Sequence, residues 1–133
     1  MPTTIEKLTE FARSKPALAE VPIIVVDGIP LSLNEVLYPT RLSTILTVEQ
    51  LERLKEVTLS EEESWLLAEE HYRRLSKKPL ANRIRLLSFV RSKEQPSVLS
   101  FEEILEHIKK RDAIGERMRS RYERLRKYIL ELL

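Results

Sequence analysis

The stretch that decides the fold is FEEILEHIKKRDAIGERMRSRYERLRKYILELL, residues 101–133. Small or apolar residues recur there at two positions of a seven-residue repeat: Phe101, Ile108, Gly115, Tyr122 and Ile129, then Ile104, Met118, Leu125 and Leu132 three residues later. Only Arg111 interrupts this pattern, which is typical of a helix that packs along a partner helix. The sequence therefore predicts one C-terminal helix of roughly 50 Å, longer than a compact domain of this size.

Gly115 is unusual within this repeat, because glycine inside a helix costs about 1 kcal/mol relative to alanine. At a core-facing position it permits the close approach of another helix or of a backbone. A local kink is the alternative interpretation.

Capping boxes predict where the helices begin. A Ser or Thr is followed three residues later by Glu or Gln at four places: Thr3, Thr47, Ser60 and Ser100. In the helices starting after Thr47 and Ser60, helical spacing predicts inward-facing side chains. These are Val48, Leu51, Leu54 and Val57, then Trp65, Ala68, Tyr72 and Leu75. A further helix is predicted over residues 80–93.

Residues 16–46 differ from the rest because four prolines interrupt them. Asp27-Gly28 lies between two runs of β-forming residues, a pattern that favours a tight hairpin. Pro22 and Pro30 each remove a backbone donor, however, and a lone two-stranded hairpin is marginal in water. We therefore interpret the region as an extended apolar arm with a helical turn near residues 34–37. Such an arm is expected to lie across another subunit.

The predicted architecture is all-α in a single domain. Residues 1–46 would form an N-terminal helix and the extended, Pro-punctuated arm, and residues 47–133 a small helical bundle ending in the long helix. The 133 residues leave no room for two independent cores. We expect no secretory signal and no membrane-spanning segment, because the apolar runs are short.

No pattern of catalytic or metal-binding residues emerges. Cysteine is absent, and two glycines are too few for a phosphate-binding loop. His71 and His107 fall on separate predicted helices, and Glu61, Glu62 and Glu63 are best explained as favourable charges at a helix N-terminus. We therefore expect a protein that is not an enzyme, with no catalytic residues, cofactor or metal.

Charge is unevenly distributed, although the formal net charge is only +2. Residues 47–70 are strongly acidic, whereas residues 71–95 and 109–127 are strongly basic. In the last helix, Lys110, Arg117 and Arg124 recur every seven residues, with Arg121 adjoining them. We expect the DNA-binding residues to be this stripe and the bases of the preceding helix, which are Arg83, Arg85, Arg91, Lys93, Lys110, Arg117, Arg121 and Arg124. The alternative is salt bridges to acidic residues of a neighbouring subunit.

In layout the chain resembles the major capsid proteins of filamentous archaeal viruses: about 130 residues, no cysteine, a proline-interrupted N-terminal part and a helical C-terminal part with basic faces. The many glutamates, lysines and arginines, with few asparagines and glutamines, also indicate a hyperthermophile source. The resemblance implies a capsid subunit in a virion. Such a subunit would pair with itself or a paralogous subunit and wrap double-stranded DNA in a helical filament.

Two alternatives of other classes stay open at this point. One is a dimeric helical DNA-binding, chromatin or regulatory protein in the cytoplasm. The other is an adaptor subunit of a larger complex, in which the bases meet carboxylates instead of phosphates.

Overall fold

The computed structural model describes residues 3–77, 86–88 and 97–133 of the chain. Within them the protein is mostly helical. The helices are α1 (Thr4–Ser14), α2 (Pro16–Ala19), α3 (Leu33–Leu37), α4 (Val48–Glu52), α5 (Glu61–Ser76), α6 (Phe101–Lys110) and α7 (Ala113–Leu132). Short 3-10 helices lie at Leu42–Thr44 and Leu54–Glu56. The strands β1 (Pro22–Val26) and β2 (Ile29–Ser32) pair antiparallel, as do β3 (Leu86–Ser88) and β4 (Ser97–Leu99).

The capping boxes fix the helix starts as predicted. At Thr47, Ser60 and Ser100 the hydroxyl accepts the backbone N–H three residues on, and the Glu or Gln found there accepts the N–H of the Ser or Thr. Thr3 accepts the N–H of Glu6 in the same way. A box that the sequence analysis missed, at Ser32 and Glu35, begins α3. Each box satisfies donors that a helix N-terminus leaves unpaired.

The chain divides into two compact units. One comprises Met1–Leu67 with Arg124–Leu133, and the other comprises Ala68–Glu123. The division falls inside α5 and α7, so each of these helices contributes to both units.

In the first unit, the predicted arm is an internal core element. Ile23 and Leu31 of the hairpin and Leu33 of α3 are almost fully buried, and α1 packs against α2, α3 and α4. The expectation that this segment finds no surface in its own chain is therefore wrong. A shift of register between Pro22 and Ile24 accommodates the proline in the ladder.

The hairpin also corrects the all-α prediction. Asp27 and Gly28 have φ angles of 52° and 73°, and Val26 pairs with Ile29 across them. Two consecutive residues with positive φ are what a two-residue type I′ turn requires. The Asp-Gly signal was therefore correct.

The helix predicted from Thr47 is shorter than expected. It ends at Glu52 and is followed by the 3-10 turn Leu54–Glu56. Leu51 and Leu54 are buried as predicted, whereas Val48 is exposed, because it occupies the first position of a five-residue helix.

The second unit contains the rest of α5, the β3–β4 pair, α6 and most of α7. Ala68 and Tyr72 of its α5 segment are buried, in agreement with the predicted spacing. Trp65, which lies one turn earlier and belongs to the first unit, is also buried as predicted. β3 lies inside residues 80–93, which were predicted to be helical, so that prediction is wrong at this point. Pairing of Leu87 with Val98 across the strands outweighs the local helical pattern.

The predicted long C-terminal helix is also wrong in one respect, because it is two helices. α6 ends at Lys110, and Arg111 adopts a left-handed conformation with φ 52°. α7 then runs for 20 residues, or about 30 Å. It is the longest helix among the described residues.

Candidate nucleic-acid interface

Three arginines of α7 lie on one side of the helix. Arg117, Arg121 and Arg124 are spaced by four and then three residues, which returns to the same face at each step. Arg121 and Arg124 are exposed and Arg117 is half-buried. Arg117 and Arg124 lie about 10.5 Å apart along the helix axis. We call these three residues the basic row.

Two other arginines of α7 are engaged in structural contacts. Arg119 forms ion pairs with Glu116 and, at 3.4 Å, with Glu123. The guanidinium of Arg126 donates to the carbonyl oxygen of Ile23 at 2.7 Å and to that of Val57 at 3.3 Å. Arg126 therefore ties the end of α7 to the hairpin within the first unit.

The basic row differs from these two residues, because it has no such partner in the part of the chain that the structure describes. Among residues 3–77, 86–88 and 97–133, no carboxylate or carbonyl oxygen accepts a hydrogen bond from the guanidinium groups of Arg117, Arg121 or Arg124. Arg121 acts only at longer range, on the buried Tyr72. Helical periodicity places Arg117, Arg121 and Arg124 on one face of α7, opposite Arg119 and Arg126, which are also seven residues apart.

Lys110 does not belong to the basic row. It is exposed at the end of α6, whereas the other three predicted residues lie on α7. The single stripe predicted from the sequence is therefore wrong at this residue, because the helix breaks at Arg111. The remaining candidates, Arg83, Arg85, Arg91 and Lys93, lie outside the described residues.

A tight corner joins α6 to α7 and sets where α7 begins. The carboxylate of Asp112 accepts the N–H of Gly115 at 2.9 Å and lies 2.6 Å from Nδ1 of His107. Partial burial would raise the pKa of the Asp112 carboxyl. The hydrogen bonds from Gly115 and His107 outweigh that effect, and the pKa is lowered.

Gly115 makes this corner sterically feasible. A Cβ atom at this position would lie 2.2 Å from the carbonyl oxygen of His107. The prediction that Gly115 permits a close backbone approach is therefore confirmed, although the backbone belongs to the neighbouring helix of the same chain. The sequence signal for the corner, an Asp three residues before a Gly, was masked by the apolar repeat.

An aromatic cluster anchors α7 in the second unit. Tyr122 is 1% exposed, and its ring centroid lies 5.6 Å from that of His71. The ring of Tyr72 lies 4.9 Å from His71 and 6.4 Å from Phe101. Burial raises the pKa of the Tyr72 hydroxyl, while the charge of Arg121 acts in the opposite direction. Since Tyr122 is fixed inward, the neighbouring Arg121 faces outward.

The described part of the chain contains no group of three or more histidine or carboxylate side chains placed to hold a metal ion. None of its helices combines the length and the apolar character needed to span a lipid bilayer.

Comparisons with known proteins add no relative: no family model matches the chain, and neither a curated protein nor a solved structure shows significant similarity to it.

Proposed function

We propose that the protein is a structural nucleoprotein, a filament subunit that coats double-stranded DNA through its phosphate backbone without reading sequence. The observation that carries the proposal is the basic row. Three arginines share one face of α7, and their guanidinium groups have no acceptor among the described residues. Arginine binds phosphate with paired N–H donors.

The spacing of the row suits a backbone contact. Arg117 and Arg124 are about 10.5 Å apart along the axis, which corresponds to roughly three base pairs of rise along duplex DNA. Arginines presented along one exposed face can follow successive phosphates. Phosphate contacts position a protein on DNA but carry no sequence information, so binding is expected on any duplex.

We also propose that this filament subunit is a capsid protein of a virion, which rests on the layout resemblance. The packed hairpin removes one of the observations that supported this part of the proposal. The hairpin and α3 pack into the core of their own chain, so they no longer serve as evidence for a subunit contact. The acidic residues of 47–70 depart from the pattern of a simple basic nucleoprotein, because they must lie away from the DNA.

The test is duplex affinity across a salt series for Arg117→Gln and Arg124→Gln. Each lost phosphate contact should reduce the slope of log affinity against log salt by about 0.9. The weakening should be equal on unrelated duplex sequences. Arg13→Gln is the matched control, because it removes one charge from an exposed arginine that pairs with Glu10 on α1; its slope should equal that of the wild type.

An unchanged slope for both variants, with folding intact, would contradict the DNA-binding proposal. It would favour the adaptor alternative, in which the basic row meets carboxylates of another protein.

A further inference from the structure

Apart from Ile5 of α1, the exposed large apolar side chains of the first unit fall into two groups. Tyr38, Leu42, Ile45 and Val48 are 65%, 89%, 55% and 55% exposed, all within eleven residues of chain. Tyr128 and Leu132, at the end of α7, are 53% and 40% exposed. Single exposed apolar residues are ordinary, but clusters of them mark interaction surfaces.

Two residues of the first group, Ile45 and Val48, are next in the chain to Leu46 and Glu49, which line an apolar cleft. The cleft has a volume of about 440 Å³. Its apolar lining comes from β1, from the loop before α4 and from the residue after the second 3-10 turn: Ile24, Val25, Val26, Leu46 and Val57. An enclosed apolar cavity of about 150 Å³ holds benzene, so this cleft has room for an aromatic side chain. We call the cleft and the four exposed residues of the stretch 38–48 the acceptor face.

Acidic residues slightly outnumber basic ones around the acceptor face. Asp27 and Glu49 line the cleft, and Arg53, which also lines it, is paired with Glu49 at 3.4 Å. Glu52 and Glu56 are exposed on the same short stretch of chain. With Lys55 and the exposed Arg41, these residues give four acids against three bases, a net charge of −1.

The end of α7 has the complementary character. Tyr128 and Leu132 lie one turn apart on the helix, and the exposed bases Arg124 and Lys127 flank them. Glu131 is the one exposed acid in this part of the described chain. We call Lys127, Tyr128 and Leu132 the donor end.

We infer that the acceptor face is covered by the donor end of a second copy of this chain. Tyr128 of one copy enters the apolar cleft of the next, Leu132 packs on the exposed apolar residues beside it, and Lys127 meets the surrounding carboxylates. Donor and acceptor are different surfaces, so the contact is heterologous and repeats from copy to copy. The biological role of this contact rests on the proposed filament function, because the contact would join copies of the chain within the filament. Its formation does not require DNA.

The test uses full-length, nuclease-treated protein and sedimentation over a range of concentrations. The surfaces are small, so wild-type protein should associate with a dissociation constant of roughly 10–100 µM. Tyr128→Glu and Ile45→Glu should each weaken association at least tenfold. Ile5→Glu changes an exposed residue of α1 outside both surfaces and should associate as the wild type does.

Mixing the two defective variants separates a heterologous contact from a symmetric one. The Tyr128→Glu copy keeps an intact acceptor face, and the Ile45→Glu copy keeps an intact donor end. An equimolar mixture should therefore form one-to-one pairs with the wild-type dissociation constant. If each surface instead paired with the same surface of another copy, the mixture would not recover the association of the wild type. That result would overturn the inference.

A second variant guards against misfolding. Lys127→Glu changes a solvent-exposed charge and should weaken association several-fold with an unchanged circular dichroism spectrum. Wild-type protein that remains monomeric up to roughly 1 mM would also overturn the inference. Because DNA is absent throughout, loss of this contact and loss of DNA binding are distinguishable results.

Discussion

The hairpin turn at Asp27-Gly28 and the α6–α7 corner both change the chain direction, and each depends on a glycine for a different reason. At Gly28 a Cβ atom would meet nothing within 4 Å, but φ is +73°. At Gly115 the residue lies inside α7, but a Cβ atom would lie 2.2 Å from the carbonyl oxygen of His107. The turn needs the conformational freedom of glycine, whereas the corner needs its small volume. The same substitution should therefore have different costs in the two regions.

The largest effect is expected for Gly115→Ala. The added methyl group forces α6 and α7 apart, and overpacking of this kind should lower the free energy of unfolding by about 3 kcal/mol. Helix propensity alone predicts the opposite sign, a gain of about 1 kcal/mol. Urea denaturation followed by circular dichroism measures the difference.

Ala113→Gly is the matched control for that measurement. It lowers the helix propensity at an exposed position in the first turn of α7. It should lower the free energy of unfolding by no more than about 1 kcal/mol. A Gly115→Ala protein as stable as the wild type would show that the corner can relax.

A smaller effect is expected for Gly28→Ala. The side chain has open space, so the cost is the strain of a left-handed conformation, about 1 kcal/mol. Asparagine tolerates this conformation, so Gly28→Asn should cost only a few tenths of a kcal/mol. Thermal unfolding of the two variants provides the comparison, and equal losses would contradict a purely conformational role for Gly28.

Effects no larger than that of Gly28→Ala are expected for the carboxylate that holds the corner. Asp112→Ala removes the acceptor for the Gly115 N–H at the start of α7 and should cost about 1 kcal/mol. Asp112→Asn keeps an acceptor oxygen and should cost less. Urea denaturation at neutral pH ranks the two variants, and equal losses would show that the acceptor oxygen contributes nothing.

The two Asp112 variants should also differ from the wild type in acid. The folded-state pKa of Asp112 is lowered from its ordinary value of 3.8. Its contribution is therefore fully present above pH 3.8 and is lost as the pH falls through the lower folded-state value. Partial solvent exposure keeps that contribution small. The acid limb of the stability curve should be flatter for the Asp112→Asn protein than for the wild type, and an identical limb would contradict this role.

The parts of this fold that depend on local chemistry could be predicted from the sequence. Ser60 and Glu63 form their capping box within a single helical turn, and Asp27-Gly28 sets its own turn. Contacts formed at a distance could not be predicted in the same way. Ile23 is almost fully buried and its carbonyl oxygen accepts a hydrogen bond from the remote Arg126, so the proline pattern alone wrongly indicated an arm.

The candidate interface shows the same limit. The spacing of Arg117, Arg121 and Arg124 predicted their common face correctly, because helical periodicity is local. The break at Arg111 removed Lys110 from that face. It was missed because local interactions made by Asp112, His107 and Gly115 outweigh an otherwise continuous apolar repeat.

The bond from Arg126 to Ile23 also has a consequence for the order of events during synthesis. The two residues are 103 positions apart in sequence. At a translation rate of about 5–20 residues per second, Arg126 is synthesised roughly 5–20 s after β1. During that time the apolar hairpin lacks one of its native contacts and is open to association with other nascent chains. Cells that make the protein rapidly should therefore gain from a chaperone that holds this segment.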